Sequence, residues 1–130
     1  MKRYLAIGTG GALGAIARYA VQLIPLPFAS LYHPVLTLLI NVTGSFLLGF
    51  LMVLFIKCLP VKPEIRVGIT TGFLGGYTTF STLCKEAVLL ACSGHILLSA
   101  VYISASVMLG LAAAWLGIST AKRLERRRGF

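Results

Sequence analysis

The chain has 130 residues, of which 58% are hydrophobic and 12% are charged, and its formal net charge is +9. Soluble domains usually carry about 25% charged residues, so this composition favours a membrane protein over a soluble one. Nucleic-acid binding is not predicted, because the basic residues cluster at the ends of apolar segments, as membrane-flanking charges do. The length allows one domain, residues 1–130.

Four apolar segments follow one another along the chain, each long enough to cross a bilayer as a helix. Prolines, charges or short polar turns separate them. We therefore predict an all-α membrane protein with four transmembrane helices, which leaves no room for an attached soluble catalytic domain. The predicted spans cover about residues 4–24, 35–58, 65–92 and 96–120.

The basic residues predict an orientation for these spans. Four crossings put both termini and the middle loop on one side of the membrane, and ten of the twelve Lys and Arg residues lie on that side. Loops rich in Lys and Arg stay in the cytoplasm, so both termini are predicted to be cytoplasmic. The ten residues are Lys2, Arg3, Lys57, Lys62, Arg66, Lys122, Arg123, Arg126, Arg127 and Arg128.

The first span carries glycines and one charge at helical spacing. Gly10, Gly14 and Arg18 are four residues apart and share a face. Small residues at this spacing let another helix approach closely. A charge within a span normally faces a cavity or a partner, so Arg18 has either a structural or vestibule role or a position at the membrane surface.

In the second span, Asn41, Ser45 and Leu48 follow the i, i+4, i+7 spacing of one helix face. An amide in hydrocarbon needs a polar partner, and Asn offers both a donor and an acceptor. Two interpretations stay open, a functional polar group and a hydrogen bond between helices.

The third span contains residues 72–82, which combine three glycines with four hydroxyl side chains. Gly is unfavourable in a helix interior, and backbone released from helical bonds at membrane depth must be buried in protein or line a wet cavity. We predict that the third helix is broken at Gly75–Thr79 around something polar. Beyond the break, Glu86 is expected either in a wet cavity or in a pair with Lys85 that reaches the membrane surface.

The fourth span has a stripe of small and hydroxyl residues on one face, which predicts either packing with polar contacts or the lining of a narrow path. The stripe comprises Ser99, Tyr102, Ser106, Gly110, Ala113 and Gly117. No set of catalytic residues is present. Asp is absent and the acids are Glu64, Glu86 and Glu125, so neither paired-carboxylate catalysis nor metal-dependent hydrolysis is predicted, and the chain is not predicted to be an enzyme.

Three motifs, in order on the first three spans, resemble the Fluc family of fluoride channels (CrcB-type). They are GGALGAIARY at 10–19, NVTGSFLLG at 41–49 and GFLGGYTTFST at 72–82. The resemblance implies a fluoride-selective channel that lets fluoride leave the cell passively, down its electrochemical gradient, and so gives fluoride resistance. It also implies an antiparallel, dual-topology dimer, surrounded by lipid in the inner (plasma) membrane.

The resemblance further implies roles for individual residues. A sodium ion at the dimer interface is expected on the backbone carbonyls of Gly75 and Thr78. Leu83 stands where the family usually has a second phenylalanine. Arg18 and Glu86 match positions beside the vestibules. The expected fluoride pore comprises Asn41, Phe80, Ser81, Thr82, Leu83, Tyr102 and Ser106.

Alternatives to this function and to a homodimer remain. One alternative is a small dual-topology, proton-coupled multidrug exporter that uses Glu86 as its coupling acid. Another is a membrane assembly subunit that transports nothing itself. An antiparallel homodimer requires one sequence to insert both ways, which a strong charge bias opposes. The partner in the dimer is therefore expected to be either a second copy or a homologous subunit with the opposite bias.

Overall fold

The computed structural model describes residues 1–24, 32–59 and 61–128, and within these ranges the chain is helical and has no strand. Residues 25–31 of the predicted first loop, and Pro60 just after the predicted second span, lie outside the described residues. The first half consists of α1 (Lys2–Gln22) and α2 (Tyr32–Val53), and α2 continues into one wide π-helical turn (Leu54–Cys58).

The second half begins with a helix that changes its geometry several times. Its parts are α3 (Pro63–Val67), a π-helical segment (Gly68–Phe73), α4 (Leu74–Tyr77) and α5 (Phe80–Cys92), and the long α6 (Ile96–Arg128) follows. Thr78 and Thr79 are extended, with ψ of 157° and 117°. The prediction placed the break at Gly75–Thr79, whereas Gly75–Tyr77 are helical in α4.

Close backbone packing joins α1 to the segment that precedes the interruption. A Cβ atom added at Gly10 would overlap the carbonyl oxygen of Gly68, and one added at Gly14 would overlap that of Phe73. From the other side, a Cβ at Gly76 would overlap the carbonyl oxygen of Gly11. Only glycine permits this approach, so the glycines of α1 and of residues 68–76 fix these two helices against each other.

Close backbone packing at glycines also joins α2 to α6. A Cβ at Gly49 would overlap the carbonyl oxygen of Ala114, and a Cβ at Gly117 would overlap that of Phe46. The predicted stripe on the fourth span faces the interior of the bundle, because Ser99, Tyr102, Ser106, Ala113 and Gly117 are all buried. The opposite side of α6, which includes Leu111 and Trp115, is exposed.

An ion pair ties the end of the second helix to the end of the last. Lys57 Nζ lies 3.2 Å from Glu125 Oε1, and Lys57 is about half exposed. Such a pair contributes at most about 1 kcal/mol. The pair shows that the turn after α2 and the C-terminal part of α6 lie at the same end of the helical bundle.

Within the described residues, two helical stretches are long and apolar enough to cross a membrane, Pro34–Cys58 and Ile96–Arg127. The surface of the single chain is covered with exposed large apolar side chains, including Leu13, Leu47 and Leu97. Large exposed apolar surfaces of this kind mark contact with lipid or with another protein.

Candidate functional site at the helix interruption

Asn41 of α2 holds the extended backbone between α4 and α5. Its Oδ1 accepts a hydrogen bond from the backbone N–H of Thr79 at 2.8 Å, and its Nδ2 donates to the carbonyl oxygen of the same residue at 2.9 Å. The side-chain amide thus takes the place of the helical partners that Thr79 lacks, as buried backbone groups require. Since the N–H must donate, the orientation of the amide is fixed.

The bond between the Thr79 N–H and Asn41 leaves the carbonyl oxygen of Gly75 without the donor that it would have in a continuous helix. In an α-helix the N–H of residue 79 bonds the carbonyl of residue 75, but here it bonds Asn41. Likewise, the N–H of Thr82, the regular donor to the carbonyl of Thr78, bonds Thr79 Oγ1 at 3.2 Å. The two carbonyls released in this way are the pair that the family resemblance implies as sodium ligands.

Thr79 also caps the helix that begins beside it. Its hydroxyl accepts from the Thr82 N–H, donates to Thr82 Oγ1 at 3.0 Å and lies 3.3 Å from Ser81 Oγ. A threonine at this position stabilises a helix start by about 1 kcal/mol. Ser81 and Thr82, both predicted to lie in the pore, are therefore part of a capping network.

An open cavity of about 500 Å³ lies beside the interruption. It brings together six residues for which the family resemblance implies a role in the pore or at sodium, and it is also lined by Ser45 and Leu48, as expected from their spacing with Asn41. Ser81, Thr82 and Tyr102 do not line it. The six residues are Asn41, Gly75, Thr78, Phe80, Leu83 and Ser106.

One aromatic residue of the cavity lining is largely exposed in the single chain. Phe80, the first residue of α5, is 78% exposed. Gly75 is exposed as well, and a Cβ added there would meet nothing within 4 Å. Leu83 differs from Phe80, because it is buried against Ala87 and Tyr102 and only borders the cavity.

Glu86 lies in a buried cluster rather than at the open positions that the sequence suggested. Thr37 Oγ1 donates to its Oε1 at 3.0 Å, and the Tyr102 hydroxyl donates to its Oε2 at 2.7 Å. Glu86 is 8% exposed, whereas Lys85 is exposed. Two hydroxyl donors satisfy the carboxylate inside the fold, so the expected wet cavity and surface-reaching pair with Lys85 are not found in the single chain. The vestibule position that the family resemblance implies for Glu86 stays a prediction.

Sequence reasoning missed Thr37, which is fully buried. A signal was present, since Thr37 precedes Asn41 by four residues and Ser45 by eight, on the same face of α2. The hydroxyl groups of Ser106 and Tyr102 also have partners within the chain, since Ser106 donates to the Tyr102 carbonyl at 2.7 Å and Tyr102 donates to Glu86. Arg18 is half-buried in α1 and does not line the cavity.

We expect Thr37→Val to lower the stability of the protein by about 1–3 kcal/mol, since valine keeps the shape but leaves one oxygen of the buried carboxylate without its donor. The temperature at which the detergent-solubilised protein loses its monodisperse gel-filtration peak measures this. Thr9→Val is the matched control, because Thr9 is exposed and bonds only its own helix. Equal melting of Thr37→Val and wild type would contradict the assigned cluster.

Comparison with known proteins places this geometry in a family. The family model described as "CrcB-like protein, Camphor Resistance (CrcB)" matches residues 5–118. The fluoride-specific ion channel FluC 2 of Geobacillus kaustophilus (strain HTA426) is 44% identical over 127 residues, which are 98% of each chain. The fluoride-specific ion channel FluC of Geobacter metallireducens is 42% identical over 124 residues, 95% of this chain and 100% of that one. These matches show that the chain, with its third helix interrupted beside Asn41, belongs to the CrcB family.

Proposed function

We propose that the chain is a fluoride-selective channel, not an enzyme, and that it lets fluoride cross the cell membrane passively. The relatives that carry the name fluoride-specific ion channel match nearly the whole chain, which supports carrying their function over. The observation on which the proposal rests is the cavity at the helix interruption, since it unites Asn41, Phe80 and Ser106 beside released backbone.

Fluoride is small and strongly hydrated, so a pore must replace its water with donors. The Nδ2 group of Asn41 carries two hydrogens, and one of them bonds Thr79. The other is available to an anion in the cavity. The ring of Phe80 adds a positive edge that faces an anion without holding it tightly. Weak and multiple contacts of this kind suit conduction, because the ion must also leave.

A second chain would close the open cavity. The exposure of Phe80 and Gly75 in the single chain supports an interface there. In the proposed assembly, two four-span subunits lie antiparallel, and each has its third helix interrupted at Thr78–Thr79. The Lys57–Glu125 pair supports this topology, because four spans require the middle loop and the C-terminus at one end.

A sodium ion is proposed at the centre of this dimer. The carbonyl oxygens of Gly75 and Thr78 fit it, because their helical donors are engaged by Asn41 and Thr79 and sodium prefers oxygen ligands from unwound backbone. The ion would supply a fixed positive charge that joins the two interrupted helices. Asn41 then has two roles in the chain, orienting the released backbone and facing the anion path.

The charge bias supports a homologous chain as the second subunit. Ten of the twelve Lys and Arg residues lie at the end proposed to be cytoplasmic, so copies of this chain would favour one orientation in the inner membrane. A homologous subunit with the opposite bias would complete the antiparallel pair. Pairing with a second copy is the other possibility, and the two are distinguished by testing the chain alone.

No observation favours a proton-coupled exporter. Such a mechanism needs an acid that exchanges protons with water, and the candidate Glu86 is buried and bonded by Thr37 and Tyr102. A non-transporting role is equally without support, since the relatives bear the names of channels.

Efflux from liposomes loaded with potassium fluoride tests the proposal. The purified chain, alone or together with a homologous subunit of opposite charge bias, should release fluoride, read by a fluoride electrode, only when valinomycin lets potassium follow, because a passive channel moves net charge. Efflux that requires a proton gradient instead would contradict passive conduction. Robust efflux from the lone chain would also exclude an obligate second subunit.

A further inference from the structure

The C-terminal third of α6 carries a basic pocket on the side that faces away from the bundle. The pocket has a volume of about 290 Å³ and its charged residues are all basic: Lys122, Arg123 and Arg126, each exposed. Trp115 and Leu116 give the lining an apolar part, and Ser119 and Thr120 add two hydroxyl groups. Cationic groups above an aromatic and an aliphatic side chain match an amphiphile with an anionic head.

The acid of this helical turn does not neutralise the pocket. The carboxylate of Glu125 pairs at 3.2 Å with Lys57, which lies in the π-helical turn after α2. Glu125 does not line the pocket. Ala121, one residue before the basic group, is fully buried on the packed side of the helix. The positive charge of Lys122, Arg123 and Arg126 is therefore directed outward.

The length of α6 puts this pocket at the membrane surface. The helix has 33 residues, so it is about 50 Å long, whereas the hydrocarbon core is about 30 Å thick. The charged end must lie beyond the hydrocarbon. Trp115, which is 67% exposed, then lies near the interface, where tryptophan is enriched in membrane proteins.

We propose that this pocket binds the headgroup of an anionic phospholipid, with the phosphodiester on Lys122, Arg123 and Arg126 and an acyl chain against Trp115. Basic clusters next to a membrane helix favour anionic lipids, and arginine forks suit phosphate oxygens. The inference rests on insertion of the chain in a membrane and not on fluoride conduction. The bound lipid would hold the basic end of the chain in the leaflet that contains it.

Trp115 supplies the test, because it is the one tryptophan of the chain. The full-length protein is reconstituted into vesicles in which brominated phosphatidylglycerol or brominated phosphatidylcholine, whose acyl-chain bromines quench tryptophan at contact, replaces the matching lipid. We expect stronger quenching by phosphatidylglycerol at equal mole fraction. Arg123→Gln and Arg126→Gln should each reduce this preference by about fivefold.

Two controls make the result specific. The variant Lys2→Gln/Arg3→Gln removes two positive charges from the N-terminus, which is predicted to lie on the same side of the membrane as the pocket. It leaves the pocket intact and should keep the preference of the wild type. Equal quenching by the two lipids in the wild type, or equal loss in the control variant, would overturn the proposal. Relief of quenching by inorganic phosphate, at an ionic strength matched with chloride, would show a site for the free anion and would also overturn it.

Discussion

Asn41→Asp is expected to reduce fluoride efflux by a hundredfold or more, while the protein still folds. The substitution keeps an acceptor for the Thr79 N–H but removes the donor to the Thr79 carbonyl. It also fixes a negative charge beside the proposed anion path. Two like charges about 4 Å apart repel by roughly 4 kcal/mol at the effective dielectric of a partly buried site, which is enough for a hundredfold decrease.

Asn41→Ala separates the two effects of that substitution, since it removes both hydrogen bonds without adding charge. We expect its efflux to fall less than that of Asn41→Asp. Both variants are measured with the fluoride electrode at equal protein density, after gel filtration has shown that they are folded. A folded Asn41→Asp protein that releases fluoride at the wild-type rate would remove Asn41 from the conduction path.

Gly14→Ala is expected to destabilise the fold by about 3 kcal/mol, the upper part of the range for overpacking. The added methyl group would overlap the Phe73 carbonyl oxygen and lie 2.9 Å from the Tyr77 backbone nitrogen. These are backbone atoms of the segment that leads into the interruption, so no side chain can rotate to make room. The loss appears as a lower temperature of unfolding in detergent.

Gly8→Ala is the control in the same helix. A Cβ atom at Gly8 would meet nothing within 4 Å, and alanine is favoured over glycine in helices by about 1 kcal/mol. Its unfolding temperature should therefore equal or exceed that of the wild type. Similar destabilisation by the two substitutions would contradict the close approach of α1 and Phe73.

The main elements of the fold could be predicted because their signals are local. Apolar segment length and the spacing of Asn41 with Ser45 and Leu48 follow from helix geometry alone, and all three residues line one cavity. Glycine and hydroxyl content predicted the interruption at Gly75–Thr79, whereas the extended residues are Thr78 and Thr79. Gly75 lies in the last turn of α4, while Thr79 is held extended by Asn41, 38 residues earlier in the chain.

Partners that are distant in sequence could not be predicted. Glu86 looked like an unpaired acid beside Lys85, yet it is satisfied by Thr37 and Tyr102, which are 49 and 16 residues away. The hydroxyl residues of the motif were likewise assigned to an ion path, while Ser81 and Thr82 contribute to a helix cap. Sequence spacing identifies residues on a shared face, but the partner of a polar group depends on how helices pack.

Comparison of fluoride and chloride efflux from the same proteoliposomes is the most direct test of the proposed function. With valinomycin present, we expect rapid release of fluoride and retention of chloride at equal protein density. A second subunit of opposite charge bias is added if the lone chain is silent. Equal release of the two anions, or retention of fluoride in both preparations, would contradict a fluoride-selective channel.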